Sequence, residues 1–295
     1  MPELPDIEAY LAALRPRVVG KEIQSIRIAG IAFLKSFDPP IHDAHGAKIT
    51  GLRRMGKRIV FELSDDRFLV LHLMVAGRLL WKDPGAKVPG KIGLGAIDFE
   101  SGSLIITEAG TKKRASLYLV AGEESLTQFE RGGLEVMLAS AEEFAEALRR
   151  ERHTLKRALT DPTIFSGIGG AFSDEIMHRA KLSPMARSDT LDDEAAQRLF
   201  HAVRDVLGEW TDRLSAEVED EFPTKVTAFR PEMAVHGKFG EPCPVCDAPV
   251  QRIVYASNET NYCPGCQTEG RILADRSLSR ILKDDWPKSL EELEG

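Results

Sequence analysis

Four cysteines near the C-terminal end of the sequence constrain the fold more than any other feature. They follow the spacing C-x2-C-x16-C-x2-C, and the sequence contains no other cysteine: the four are Cys243, Cys246, Cys263 and Cys266. Two such pairs can place four thiolates tetrahedrally about Zn²⁺, and the prolines of CPVC and CPGC suit tight turns that direct both sulfurs at one metal. The stretch QRIVYA (251–256) between the pairs has the composition of a β-strand. The sequence therefore predicts a β-ribbon with one structural zinc ion, because four thiolates leave no position open for water.

A pair of disulfides is the alternative use of four cysteines. Disulfides are typical of secreted proteins, and no charged-then-apolar signal sequence precedes the first predicted helix. The sequence also lacks a run of about 18 apolar residues, so we expect no membrane-spanning helix. These observations favour zinc over disulfides and predict a soluble, intracellular protein.

The length and charge pattern limit the classes of function. A chain of 295 residues with 43% hydrophobic residues can form more than one domain with its own core. The net charge of −7 argues against a uniformly basic nucleic-acid binder. Basic residues are nevertheless concentrated in KITGLRRMGKR (48–58) and LRRERHTLKR (148–157), whereas residues 284–295 are strongly acidic. Such local basic patches are compatible with binding a phosphate backbone and equally with a solvated surface.

The hydrophobic pattern divides the rest of the chain into a β-rich and a helical part. A helix is predicted in DIEAYLAALRPRVVG (6–20), ended by Pro16 and Gly20. Short β-rich runs follow at the spacing of a sandwich or barrel, among them RFLVLHLMVAGRLLW (67–81). From about residue 141 the pattern is helical and includes a long helix from Asp192 to about Val218. We expect the boundary between the parts in GEESLTQFERGG (122–133).

A glycine-rich turn lies inside the helical part, in IFSGIGGAFSDEIMHRA (164–180). Gly169 and Gly170 precede a predicted helix start, where free backbone N–H groups can bind a phosphate. Turns of this kind between helices are also common without any ligand. Upstream, Lys156 can contribute a side-chain contact to the same phosphate, although an exposed, solvated lysine is the commoner arrangement.

The N-terminal MPELPD allows two interpretations. In one, Pro5 and Asp6 simply start the first helix. In the other, Met1 is removed because residue 2 is small, and the secondary amine of Pro2 becomes a nucleophile with Glu3 as its acid/base partner. The hexapeptide alone leaves both open.

Taken in order, PELPD, the lysine of MGKR, the run HLMVAGRL, the GIG turn and the four-cysteine ribbon resemble the formamidopyrimidine-DNA glycosylase/endonuclease VIII family over about residues 1–267. The resemblance implies an α+β multidomain protein: an N-terminal β-sandwich with a leading helix, a helix–two-turn–helix domain and a C-terminal four-cysteine zinc β-ribbon. We accordingly expect a catalytic domain at 1–125, the helical DNA-binding domain at 126–224, the zinc-ribbon domain at 225–283 and an acidic tail at 284–295.

The resemblance also implies a function and a set of site residues. The family's members are base-excision-repair DNA glycosylases with AP lyase activity, so we expect damaged double-stranded DNA as the partner of a monomer in the bacterial cytoplasm or nucleoid. Pro2 is then the nucleophile and Glu3 the acid/base. Lys57 matches the family's lysine, which contacts phosphate or acts as a general acid. Met74 matches the methionine that fills the gap left by a flipped nucleotide; without the resemblance it would be assigned to the core.

Several positions depart from the family pattern. Gly170 stands where the family has a phosphate-binding Asn, and Asn258 stands where the ribbon has an Arg. The family's Arg–Phe wedge is replaced by EAGTKKRASL (108–117), whose Lys112, Lys113 and Arg114 we expect to contact DNA. The chain also continues for 29 residues after Cys266, through the amphipathic RSLSRILKDDW (276–286).

These departures leave a second function open: a weakly catalytic or non-catalytic protein of the same fold that binds damaged DNA or abasic sites. The sequence also leaves open the preferred lesion (oxidised purine, oxidised pyrimidine, abasic site or crosslink) and the choice between β- and β,δ-elimination.

Overall fold

The computed structural model describes residues 1–218, 221–223, 226–255, 258–274, 281 and 287–294. The chain forms two compact units. The first unit consists of Met1–Arg131 and Glu209–Thr227, and the second consists of Gly132–Gly208 and Ala228–Gly295. No helix within the described residues is both long and apolar enough to cross a membrane.

The first unit begins with helix α1 (Leu4–Val18), which buries one apolar side against the sheets. Glu3 is its N-cap residue and Pro5 lies in its first turn, where a missing N–H has no cost. Of the two residues predicted to end the helix, Pro16 lies inside it, and the helix ends at Val18, two residues before Gly20. A proline in the last turn removes only one hydrogen bond, and the N–H of Val19 still reaches the carbonyl of Arg15 at 3.1 Å.

Eight strands form two antiparallel four-stranded sheets in this unit, as the predicted sandwich requires. The strands are β1 (Ser25–Ile28), β2 (Ile49–Met55), β3 (Arg58–Leu63), β4 (Arg67–His72), β5 (Gly77–Lys82), β6 (Gly93–Phe99), β7 (Gly102–Glu108) and β8 (Ser116–Ala121). The sheet orders are β1-β6-β7-β5 and β2-β3-β4-β8. Both sheets and α1 contribute side chains to one core, for example Leu14, Phe61 and Ile97.

The sheet β2-β3-β4-β8 is apolar on both faces because its side chains alternate between two clusters. Ile59, Phe61 and Leu71 point into the main core. Val60 and Val70 point the other way and join a smaller cluster that includes Phe129, at the end of a 3-10 segment (Glu123–Phe129). The outer face of this sheet, meaning the face of Val60 and Val70, therefore packs against the short segment Glu123–Phe129.

The predicted single β-run at 67–81 is wrong in one respect: a turn interrupts it. β4 ends at His72, and β5 starts at Gly77 in the other sheet. Met74 lies in the turn with a φ of +54°, and Gly77 N donates to the Leu73 carbonyl at 2.9 Å. A Cβ on Gly77 would lie 2.1 Å from that carbonyl oxygen, so the close approach requires glycine.

The second unit contains helices and the cysteine ribbon, in agreement with the predicted order. The helices are α2 (Ala141–Arg149), α3 (Leu155–Thr160), α4 (Gly170–Arg179) and α5 (Asp193–Ala216), and α5 continues into the first unit from Glu209. An antiparallel hairpin of β9 (Gln251–Tyr255) and β10 (Asn258–Tyr262) precedes two short helices, α6 (Pro264–Gln267) and α7 (Glu291–Glu294). The amphipathic segment predicted at 276–286 lies outside the described residues except for Ile281.

Candidate active site and metal centre

The N-terminal residues form the first part of the candidate site. Pro2 is buried, and Glu3 is 3% exposed at the start of α1, where its backbone N–H donates to Asp6 Oδ2 at 2.9 Å. While Met1 is attached, the Pro2 nitrogen is an amide. Removal of Met1 would convert it to a free secondary amine. The first turn of α1 therefore holds the N-terminal residues in a defined orientation.

The electrostatic environment of this chain end is reported by the Met1 amino group. Its pKa is lowered, chiefly by burial; Glu3 opposes the shift, and the positive charges of Arg78 and Lys57 add to it. An amine with a lowered pKa is neutral, and hence nucleophilic, over a wider range of physiological pH.

Lys57 lies in the two-residue turn between β2 and β3, where Gly56 has a φ of +59° and Met55 pairs with Arg58. Burial lowers the pKa of Lys57, whereas Glu3 raises it. Glu3 thus interacts electrostatically with both the chain end and Lys57. The structure brings the three predicted catalytic positions into one partly buried cluster.

Arg78 belongs to the same cluster and was not identified from the sequence. Its Nη1 donates to the carbonyls of Gly77 at 2.6 Å and Val75 at 3.3 Å, which fixes the guanidinium beside its own turn. The run HLMVAGRL contains this arginine, but nothing in the run itself indicates that the charge acts on the N-terminal amine.

The turn after β4 presents two apolar residues. Met74 is half-buried, whereas Val75 is 55% exposed. Met74 is therefore neither a strand residue nor a core residue. Val75 is the more accessible apolar side chain of the turn.

The basic loop between β7 and β8 is held by Glu108, which is 2% exposed. The Glu108 carboxylate accepts from the backbone N–H groups of Arg114 at 2.8 Å and Ala115 at 3.1 Å, and Lys113 Nζ donates to the Glu108 carbonyl. The side chains of Lys112, Lys113 and Arg114 are exposed.

In the second unit, the glycine-rich turn leads into α4 as predicted. Gly169 is the N-cap residue and Gly170 is the first residue of the helix. A Cβ on Gly170 would meet no atom within 4 Å, so the position has room for a side chain. Packing therefore does not require glycine at position 170.

Lys156 is not the solvated lysine that we considered as the alternative. Its Nζ donates to the Gly170 carbonyl at 2.7 Å and to Asp174 Oδ1 at 2.6 Å. The Asp174 side chain is fully buried, and its Oδ2 also accepts from His236 Nδ1 at 2.8 Å and from the Asn261 N–H at 3.1 Å. Asp174 therefore ties α3 and the cysteine ribbon to α4. Asn258 is exposed at the start of β10 and pairs with Tyr255.

The four cysteines converge on one point, and none forms a disulfide. The Sγ–Sγ distances are 3.8 Å for Cys243–Cys266, 3.3 Å for Cys246–Cys263 and 3.5 Å for Cys246–Cys266. Four sulfurs at about 2.3 Å from a tetrahedral zinc ion lie about 3.8 Å apart. The donor set and its spacing therefore fit Zn²⁺, which confirms the prediction and contradicts the disulfide alternative.

His178, on α4, completes the surroundings of the metal centre. It is buried, and its Nε2 lies 3.3 Å from Cys243 Sγ. A ring N–H at this distance can donate to a metal-bound thiolate and so orient it. No local sequence pattern indicates this contact, because 65 positions separate the two residues.

Three family models match the chain. They describe the formamidopyrimidine-DNA glycosylase N-terminal domain at residues 1–109, the formamidopyrimidine-DNA glycosylase H2TH domain at 136–216, and a zinc finger found in FPG and IleRS at 240–268.

Similar proteins and structures cover nearly the whole chain. A formamidopyrimidine-DNA glycosylase from Solibacter usitatus is 30% identical over 90% of this chain and 99% of its own length. A formamidopyrimidine-DNA glycosylase from Thermus thermophilus is 31% identical over 92% of this chain and 100% of its own length. A complex of Lactococcus lactis Fpg with DNA containing an abasic site matches with a TM-score of 0.79 and 26% identity, over 90% of this chain and 99% of that one. A complex of MutM with DNA containing carbocyclic 8-oxo-G gives a TM-score of 0.79 and 27% identity, over 90% and 100%.

Proposed function

The chain belongs to the formamidopyrimidine-DNA glycosylase family, and on this premise we propose that Pro2, Glu3 and Lys57 perform its chemistry. It is a base-excision-repair DNA glycosylase with associated AP lyase activity, and its zinc finger binds one zinc ion. We propose that the ligands of this structural zinc are Cys243, Cys246, Cys263 and Cys266. The observation that supports the proposed roles is the buried cluster in which Glu3 acts on both the chain end and Lys57. That cluster, together with relatives named as glycosylases, disfavours the non-catalytic alternative.

In the proposed reaction, the neutral Pro2 nitrogen attacks C1′ of the damaged nucleoside. The N–C1′ bond forms, the glycosidic bond breaks, and the base leaves with the bonding electrons. The Pro2 nitrogen gives up its proton to Glu3, and Glu3 delivers a proton to O4′ as the C1′–O4′ bond breaks. The freed lone pair on nitrogen forms the C1′=N bond of an iminium cation on Pro2. A secondary amine gives an iminium that is positively charged without any proton on nitrogen, so the cation persists at neutral pH.

The iminium is an electron sink, and this makes strand cleavage follow from base removal. Loss of a proton from C2′ feeds electrons toward the iminium, and the 3′ phosphate departs with the C3′–O bond electrons. Hydrolysis of the resulting conjugated iminium ion returns the free amine of Pro2. Lys57 either contacts the phosphate or supplies a proton; its lowered pKa favours proton donation at neutral pH.

The proposed partner is damaged double-stranded DNA, since the matched structures are complexes with DNA that contains an abasic site or a modified guanine. We propose that the protein acts on it as a monomer, without a membrane partner, in the bacterial cytoplasm or nucleoid. The proposed contacts comprise the backbone N–H groups of the α4 turn and side chains of both units: Gly169, Gly170, Met74, Lys112, Lys113, Arg114, Lys156 and Asn258.

The assignment of these contacts follows the proposed division into a catalytic domain (1–125), a helical DNA-binding domain (126–224), a zinc-ribbon domain (225–283) and an acidic tail (284–295). Within the second unit, the hydrogen bond from Lys156 to the Gly170 carbonyl supports a joint role at the α4 turn. For the wedge, Met74→Ala and Val75→Ala should be compared in a base-flipping assay with a fluorescent base analogue. Loss of flipping in Val75→Ala alone would transfer the role to Val75.

The catalytic roles are tested by comparing excision and lyase rates of three proteins. Glu3→Gln removes the proton carrier and should lower the excision rate by about 10²- to 10⁴-fold. Extending the N-terminus by a residue that is not removed converts Pro2 nitrogen to an amide and should abolish both activities. Arg53→Gln, in the same unit and away from the chain end, serves as the control. An extended protein with full lyase activity would overturn the proposal.

A further inference from the structure

The turn that carries Lys57 is anchored by an arginine near the end of the preceding strand. Arg54, on β2, is the cross-strand partner of Ile59 on β3, and cross-strand partners project from the same face of a sheet. Ile59 is buried in the main core together with side chains of α1, and α1 packs against β2. Arg54 therefore projects toward the helix, and its side chain is only 11% exposed.

Two hydrogen bonds from Arg54 join the turn to the helix. Its Nε donates to Glu8 Oε1 on α1 at 2.9 Å, which is also an ion pair. Its Nη1 donates to the Gly56 carbonyl at 3.0 Å. This carbonyl belongs to the peptide group that links Gly56 to Lys57. One guanidinium thus connects the backbone immediately before Lys57 to a carboxylate of α1.

Both ends of this connection lie close in the chain to groups with a proposed catalytic role. Glu8 is in the second turn of α1, and Glu3 is the N-cap residue of the same helix. The Ile7 N–H donates to the Glu3 carbonyl at 3.0 Å, so the helical hydrogen bonds keep Glu3 and Glu8 in a fixed relation. At the other end, Gly56 has a φ of +59°, and a glycine without restraint has access to several other backbone conformations.

A second ion pair in the same unit has a similar form and a different place. Arg27 Nε donates to Asp98 Oδ2 at 2.7 Å, and its Nη2 donates to the Ala86 carbonyl at 2.8 Å. Here too a guanidinium is shared between a carboxylate and a backbone carbonyl. These contacts join β1, β6 and the segment before β6, so they involve neither α1 nor the Lys57 turn. Arg27 therefore provides a matched control for Arg54.

We propose that Arg54 and Glu8 form a positioning pair for the catalytic lysine. The pair fixes the backbone before Lys57 relative to α1 and so sets the separation of Lys57 from Glu3. The inference rests on the proposed function, which assigns the roles of Glu3 and Lys57. Neither member of the pair contacts the substrate; each acts through Lys57. A displacement of about 1 Å in a reacting group can lower a rate by about 10²-fold, so a restraint on this turn affects catalysis directly.

The test separates the chemical step from DNA binding. Single-turnover cleavage of an abasic-site duplex gives the rate, and a duplex with a non-cleavable abasic analogue gives the affinity. We expect Arg54→Gln and Glu8→Ala each to lower the rate by roughly tenfold to a hundredfold, with the affinity unchanged. Glu8→Gln should retain most of the rate, because its amide oxygen still accepts from Arg54 Nε. Arg27→Gln should cleave at the wild-type rate.

Loss of a partly buried ion pair also lowers stability, so all rates are measured well below the melting temperature of each variant. Arg27→Gln loses a comparable ion pair and shows what such a loss alone does to the rate. The Glu8 side chain is 31% exposed, so Glu8→Ala decides the test if Arg54→Gln folds poorly. Glu8→Ala that cleaves as fast as Arg27→Gln would overturn the proposal, as would a loss that appears wholly in affinity.

The same substitutions in a Lys57→Met background separate this inference from the proposed function. Because the pair acts through Lys57, Arg54→Gln and Glu8→Ala should cause no further loss of rate there. A further loss of the same size would show that the pair is merely structural. If Lys57→Met cleaves like the wild type, the role proposed for Lys57 is wrong. If Lys57→Met is impaired while Arg54→Gln and Glu8→Ala are not, the positioning pair alone is wrong.

Discussion

The buried carboxylates at the start of α4 and the buried amino groups near the N-terminus have opposite surroundings. In the second unit, Glu175 is 7% exposed and accepts from the backbone N–H groups of Ala234, Val235 and His236 at 2.8–2.9 Å. Asp174 is likewise supplied with donors by Lys156, His236 and Asn261. In the first unit, burial lowers the pKa of the N-terminal amine and of Lys57, and Arg58 lies beside other cations.

The difference separates structural from functional charge. Carboxylates that accept several hydrogen bonds hold α4, the preceding lysine and the cysteine ribbon in one arrangement. Cations and amines whose charged forms are disfavoured gain most when a phosphate or an electrophilic carbon arrives. The second unit therefore provides a fixed frame, and the first provides groups prepared for reaction.

Removal of zinc should have the largest effect, since the cysteine ribbon of the second unit then loses its metal. Chelation is expected to unfold the ribbon and abolish DNA binding, because a structural zinc site contributes folding free energy directly. Circular dichroism and DNA binding measured before and after zinc is restored check this. An apo-protein that binds DNA with unchanged affinity would show that the ribbon is not required.

Substitutions of single charges should affect stability in different ways in the two units. Asp174→Asn removes the only carboxylate paired with Lys156 among the described residues and should destabilise the second unit by about 3 kcal/mol. Arg58→Gln removes a cation that repels its neighbours, and we expect a change of about 0.5 kcal/mol or less in the DNA-free protein. Amide hydrogen exchange checks both: protection at residues 234–236 should fall in Asp174→Asn, and protection in β3 should be nearly unchanged in Arg58→Gln. Equal losses of protection would contradict the comparison.

His72 should make stability depend on pH. Its folded pKa of about 4 lies below the ordinary value of 6.5, so the unfolded state binds a proton that the folded state does not. Stability should therefore fall as the pH drops from about 6.5 to about 4, by up to about 3 kcal/mol. His72→Gln should lack this component when unfolding is measured across the range. The same pH dependence in the wild-type protein and in His72→Gln would contradict this prediction.

A smaller effect than those of zinc removal and of His72 protonation is expected from restoring the family residues at the α4 turn and the ribbon. Lys156 is already bound to Asp174, so it compensates only partly for the side chain missing at Gly170. Gly170→Asn and Asn258→Arg should each improve processing of 8-oxoguanine in duplex DNA by about 1–2 kcal/mol, or roughly five- to thirtyfold. Abasic sites should gain less, because they need less flipping energy.

Product analysis on matched duplexes, with the substitutions made singly and together, checks this prediction. Asn258 is a poorer proton donor than arginine, so the unmodified protein should stop mainly at β-elimination. Efficient δ-elimination on 8-oxoguanine by the unmodified protein, with no gain from either substitution, would contradict the argument.

Features that depend on local pattern were predictable from the sequence. The zinc ribbon follows from cysteine spacing, and the long helix predicted from Asp192 to about Val218 is α5 at Asp193–Ala216. The turn at Met74 was missed because the apolar run contains no polar turn residue, and only Gly77 marks the close approach. Pro16 does not end α1, because a proline in a last turn is tolerated, and the helix ends just before Gly20.

The remaining features depend on residues that are distant in sequence. Lys156 and Asp174 are 18 positions apart, and His178 and Cys243 are 65 apart, so neither contact has a local pattern. The partners of Arg58 are also distant in sequence: β3 and β4 place it beside His72, and its guanidinium donates to the carbonyl of Phe129, 71 positions away. Long-range pairing of this kind is decided by tertiary structure.

The most direct test of the account is to locate the covalent bond. Wild-type protein is incubated with an abasic-site duplex and borohydride, which reduces the iminium to a stable amine, and the modified peptide is identified by mass. The account predicts one adduct, on Pro2 at a free N-terminus, and none in the N-terminally extended protein. An adduct on Lys57, or trapping that persists when the N-terminus is blocked, would contradict it.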